Sequence, residues 1–136
     1  MDYSYEKYFI RTFIRKDRQE RLLHELSAEK KRYRGIDRFC HQAAELIDQK
    51  KILMKGKDLI NDPSFRRFIA ENDQECYVLS TDSFLNERMM PLLEASGLAN
   101  MSTEAVLIIG KDFVLVFGEA MKGARDRFLL TDKENT

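Results

Sequence analysis

Apolar residues recur at helical spacing along the first third of the chain. Tyr5, Tyr8, Phe9, Thr12 and Phe13 fit the i, i+3, i+4, i+7, i+8 template across residues 4–14. The same stretch is rich in aromatic and β-branched residues, which favour a strand. Ser4, placed as a cap, decides for a helix. Residues 16–26 predict a second helix with Leu22, Leu23 and Leu26 as its apolar stripe. Ser27 is placed to cap another helix through Tyr33, which Gly35 breaks or bends. The segment IDRFCHQAAELI then resumes the helical period through Ile36, Phe39, Cys40, Ala43, Ala44 and Ile47.

After residue 50 the periodic runs shorten. KKILMKG (50–56) reads as a short strand. Asp62 followed by Pro63 predicts a helix start, because aspartate accepts from first-turn amides and proline suits the first helical position. Phe65, Phe68 and Ile69 continue that helix, and CYVLS (76–80) reads as a strand. SFLNERMMPLLEASG predicts a helix from residue 83, kinked or restarted at Pro91 and stopped at Gly97. AVLII (105–109) and FVLVF (113–117) are the clearest strands, joined by the hairpin-length link Gly110, Lys111 and Asp112. Both are apolar without alternation, as in strands covered on two faces. RFLL (127–130) adds a last edge strand, and TDKENT is expected to fray.

The pattern predicts one α+β domain over residues 1–136, helical to about residue 49 and mixed from about 50 to 130. About three N-terminal helices pack on a small mixed or antiparallel C-terminal sheet of three to five strands. Two further helices lie between strands. A chain of this size buries roughly 70% of its unfolded surface, enough for a core without staples.

Composition narrows the setting. The chain is 43% hydrophobic and 34% charged, with two prolines. That charged share exceeds the usual ~25% and suits long solvated helices. MDYSYEKYF carries no basic and apolar leader pattern, and no run reaches the ~20 apolar residues of a spanning helix. Cys40 and Cys76 have no metal-type or CxxC spacing, which points to reduced thiols in the cytoplasm, away from a membrane. Net charge is zero, yet residues 1–57 hold 15 Lys or Arg against 9 Asp or Glu, and the remainder holds 8 against 14. The halves either attract each other within one fold or present a basic surface to an anionic partner.

Candidate chemistry is sparse. In RFCH (38–41), Cys40 lies on the apolar stripe, where a thiol behaves as a small hydrophobe. His41 falls at the stripe's edge, four residues from both Asp37 and Glu45, and needs a distant partner to do catalytic work. Cys76 opens a buried strand, and a Cys40–Cys76 disulfide is not expected. His24 lies opposite the leucine stripe, and two separated histidines predict no zinc site. Lys30, Arg34 and Arg38 recur every four residues around Tyr33, a face for phosphates of nucleic acid, small ligands or lipid. LSTDS (79–83) places Ser80, Thr81, Asp82 and Ser83 where a strand ends and a helix is expected to begin, a common ligand position. The bland alternative is a plain helix cap. Glu119 follows the last strong strand and offers a carboxylate to Ser80. Met89, Met90 and Met101 flank Pro91 and form either an adaptable surface or core filling.

No cofactor motif is present. The ranking puts first a non-enzymatic protein that binds a partner or itself, through the methionine-rich kink or the apolar hairpin. A nucleic-acid or anion binder using Lys30, Arg34 and Arg38 comes second. An enzyme with His41, Ser80 and Glu119 comes third.

Overall fold

A computed structural model describes residues 3–120 and 125–132. Five α-helices span Tyr3–Phe13 (α1), Gln19–Ser27 (α2), Arg32–Leu46 (α3), Pro63–Glu71 (α4) and Leu92–Met101 (α5). Six strands span Ile52–Gly56 (β1), Glu75–Ser80 (β2), Met89–Pro91 (β3), Val106–Ile109 (β4), Phe113–Phe117 (β5) and Arg127–Thr131 (β6). They form one sheet in the order β1-β6-β5-β4-β2-β3, and every neighbouring pair is antiparallel. The fold is α+β as expected, with one strand more than the expected upper bound of five.

The second cover explains the apolar strands. Leu107, Ile109, Val114 and Val116 pack under α1, α2 and α3. Their neighbours Val106, Ile108, Phe113, Leu115 and Phe117 pack under α4 and α5. Successive strand residues face opposite sides, so two cores demand an unbroken apolar run. Helices therefore cover both faces of the sheet.

Residues 3–13 are helical because a sheet waits for the buried side of that helix. Phe9, Ile10 and Phe13 fill the core from α1. Ser4 lies inside α1 rather than ahead of it. Ser27 ends α2 and donates to the His24 carbonyl at 3.1 Å, so it caps nothing downstream. Residues 29–31 form a separate 3-10 turn, and α3 then runs straight through Gly35. A Cβ at Gly35 would meet Glu25 Cβ at 3.0 Å and Leu26 Cδ2 at 3.1 Å. Glycine is there to let α2 and α3 approach, and it does not break the helix. Gln42 departs from helical geometry (φ −122, ψ 23) and kinks α3.

Pro63 opens α4 as expected, with Asp62 accepting from the Ser64 amide at 2.8 Å. Residues 83–90 are not helical. They form a turn and then β3, because the open edge of β2 takes a partner: the Glu87 amide donates to Val78 O at 2.7 Å and the Val78 amide to Arg88 O at 2.9 Å. Glu87 carries φ +64 to make this return. Pro91 precedes α5, which continues past Gly97 to Met101. RFLL is no edge strand: β6 lies between β5 and β1. Thr131 belongs to β6, and of the expected frayed tail residues 133–136 lie outside the described residues.

Candidate functional site

The polar residues read from the sequence gather at the end of the sheet where β2 finishes and β4 starts. Ser80 is 2% exposed, and its hydroxyl donates inward to the Ala105 carbonyl at 2.6 Å. The same carbonyl lies 4.0 Å from the Cys40 sulfur. Burial pushes the Cys40 thiol up to about 12, with Asp37, Glu119 and Glu104 adding to the effect. Neither group is presented as a nucleophile. Thr81 donates to Glu104 at 2.8 Å. Asp82 accepts from the Phe84 amide at 3.0 Å and from the Ser102 hydroxyl at 2.8 Å. No helix starts at LSTDS, so Asp82 organises a turn and no helix dipole aims at this point.

His41 and Glu119 do meet. Nδ1 of His41 lies 2.5 Å from Glu119 Oε1, and Nε2 lies 3.2 Å from Asp37 Oδ1. The ring is half exposed. The Glu119 hydrogen bond and charge, with Asp37 assisting, hold its pKa above the ordinary value. The ring fastens α3 to the segment after β5. The nearby Arg125 is buried, pairs with no carboxylate among the described residues, and donates to the carbonyls of Ala99, Ser102, Glu104 and Gly118.

The basic residues do not form one face. Lys30 sits in the 3-10 turn before α3, exposed, and Arg34 is exposed on the helix. Arg38 turns back to the buried carboxylate of Glu25, which also takes Arg21 at 3.3 Å. Arg38 lines a cavity of about 280 Å³ together with Arg18 and Arg21. These two lie three residues apart on the helix read at 16–26, a spacing that held the signal.

The apolar hairpin is covered by helices on both sides and offers no docking face. Met90 is 3% exposed and fills the core beneath α5. Met89 and Met101 are exposed. α5 carries an outward line that the reading of Gly97 as a stop concealed. Leu93 is 59% exposed, Met101 is 83% exposed, and a Cβ at Gly97 would meet nothing within 4 Å. These residues stand four apart, on one helix side.

Cys40 and Cys76 are free and belong to the cores on opposite sides of the sheet, so they cannot bridge. Among the described residues, no cluster of three His, Cys, Asp or Glu side chains is arranged to hold a metal. No described helix is long and apolar enough to cross a membrane. Set against family models, curated proteins and solved structures, the chain matches none of them.

Proposed function

We propose that this chain is a non-enzymatic interaction protein that pairs with a second copy of itself through the outer face of α5. The observation that carries the reading is the line Leu93–Gly97–Met101. An apolar line left in water along a helix is a surface waiting to be covered. Its symmetry selects the occupant. Leu93 and Met101 stand four residues to either side of Gly97, and Glu94 and Asn100 stand three to either side. When two copies of α5 cross antiparallel at Gly97, Leu93 meets Met101 of the second copy. Glu94 likewise meets Asn100, so its carboxylate gains an amide donor and no like charges face each other. This is the reciprocal pattern of a two-fold contact. Glycine at the crossing lets the backbones approach closely.

Two further features support a role outside catalysis. Ser80 and Cys40 aim their hydroxyl and thiol at a backbone carbonyl, and both ring nitrogens of His41 are taken by carboxylates. Two free thiols suit a reducing compartment such as the cytoplasm.

A ten-residue helix is about 15 Å long, so the seam is at the small end of specific interfaces and the pairing is weak. Sedimentation equilibrium from about 1 to 500 µM, a range bracketing micromolar Kd values, should show a rise from one chain mass towards two. Gly97→Arg should fold normally, because space is open there, and stay monomeric throughout. A wild-type chain that keeps the monomer mass at every concentration, or a Gly97→Arg variant that pairs equally well, would overturn the reading.

A further inference from the structure

We infer that the cavity between α2 and α3 is a binding site for a small phosphomonoester with a compact apolar body. The cavity of about 280 Å³ has a floor of Leu22 and Leu46 and a polar rim of Arg18, Arg21, Arg38 and Gln42. Asp17 is the one acidic side chain in its wall. Two carboxylates answer the arginines here. Asp17 is shared by Arg15 at 3.1 Å and Arg18 at 3.8 Å, and the Oε1 atom of Glu25 is shared by Arg21 and Arg38. Three lining guanidinium groups, Arg18, Arg21 and Arg38, therefore stand against Asp17 in the wall and Glu25 behind Arg21 and Arg38, an excess of one positive charge at the concavity.

A phosphomonoester carries about −1.5 to −2 charges at neutral pH and is attracted by that excess. Guanidinium forks fit its oxygens in a bidentate way. The sources of the rim residues also favour a formed site. Arg18 and Arg21 enter from the start of α2. Arg38, Gln42 and Leu46 follow one another at four-residue spacing along α3, and the kink lies at Gln42 itself. Arg38 is held in a part-buried pair with Glu25, whereas Arg18 and Arg21 are more than half exposed, so their weak pairs with Asp17 and Glu25 exchange easily for a ligand. The apolar floor separates this site from a generic phosphate patch, because it rewards a ligand with a hydrophobic part. The size of the cavity admits one small molecule and excludes a polymer strand from its floor.

The site lies with the helices on one face of the sheet, and α5 lies on the other. Its success or failure is therefore independent of the self-pairing proposed above.

The test is calorimetric titration of the folded chain with phenyl phosphate, and in parallel with inorganic phosphate and phenol. Phenyl phosphate should bind one-to-one with a Kd on the order of 0.1–1 mM. Inorganic phosphate should bind at least about threefold more weakly, and phenol should show no saturation. Arg18→Gln with Arg21→Gln, both exposed and remote from the core, should weaken phenyl phosphate by about tenfold or more. Lys30→Gln with Arg34→Gln removes the same charge outside the cavity and should leave binding within about twofold. Absence of saturation by about 10 mM phenyl phosphate, some ten times the weakest expected Kd, overturns the proposal. So does equal loss in the two double variants, which would mean diffuse attraction to a basic surface.

Discussion

The hydroxyl of Tyr77, in the sheet, donates to the carboxylate of Glu6 in α1 at 2.5 Å. Glu6 is fully buried, and its charge is met by Arg32, whose other side holds Glu87 at 2.6 Å. Four residues from α1, α3, the sheet and the turn before β3 thus form one chain, Tyr77–Glu6–Arg32–Glu87. The Glu6 hydrogen bond, against the opposing effect of burial, drives the Arg32 pKa up. Removing Glu6 breaks the buried pair but leaves Arg32 its Glu87 partner, so the cost stays below that of an orphaned charge. Glu6→Gln should lower unfolding stability by about 2–3 kcal/mol. Tyr77→Phe should lower it by about 1.5–3 kcal/mol, the range for a bond to a charged group. The double variant should lose less than the sum, because both act on the same carboxylate. Urea denaturation of the four proteins measures all three quantities.

Two glycines inside helices should respond to alanine with opposite signs. At Gly97 the new methyl meets nothing, so the backbone gain of about 0.4–1 kcal/mol appears in full. At Gly35 it presses on Glu25 Cβ and Leu26, and overpacking of about 1–3 kcal/mol exceeds the same gain. Thermal melts at low micromolar concentration should show Gly97→Ala above the wild type and Gly35→Ala below it.

The His41 latch predicts a pH dependence with a definite sign. Its folded pKa is raised by Glu119 first and Asp37 after it. The stabilisation is therefore fully present below the unfolded value near 6.5 and fades as pH rises through the folded value. The melting temperature of His41→Gln should fall short of the wild type at pH 5.5, and the two should converge at pH 9. The ring is half exposed, so the gap is small and shrinks in high salt. A gap that widens with pH would reject the latch.

Both thiols should resist alkylation in the folded chain. Burial raises Cys40 and Cys76 to about 12, so the reactive thiolate at pH 8 is depleted on the order of a thousandfold against an ordinary thiol. Mass spectrometry should show slow labelling in buffer and rapid labelling of both sites in urea. Fast reaction of Cys40 alone would mean that α3 opens locally over the sheet.

The sequence displayed what local burial dictates. Phe9 and Phe13, Ile36 to Ile47, and the runs 105–109 and 113–117 each carry their period in their own residues, and the Asp62–Pro63 helix start did the same. The misreadings share a cause: a partner far along the chain. The segment from residue 83 reads as a helix kinked at Pro91, yet the edge of β2 claims Met89–Pro91 as a strand. Glu6 reads as a solvent residue until Arg32 and Tyr77 are placed beside it. At the candidate sites, His41 and Glu119 are 78 residues apart and nothing local predicts their meeting. Ser80 turns inward to the Ala105 carbonyl just before β4, 25 residues along the chain.

The place of β6 has a consequence for how the chain is made. Among the described residues β1 pairs only with β6, and Gly56 meets Arg127 across that ladder. On the ribosome, Ile52–Gly56 must therefore wait unpaired until the last strand has cleared the exit tunnel. Such long-range closure is slow, and until it happens β5 shows an apolar border to any neighbouring nascent chain. Sheet completion in this protein waits on the strand made after all the others, and crowding in that interval is the hazard it must survive.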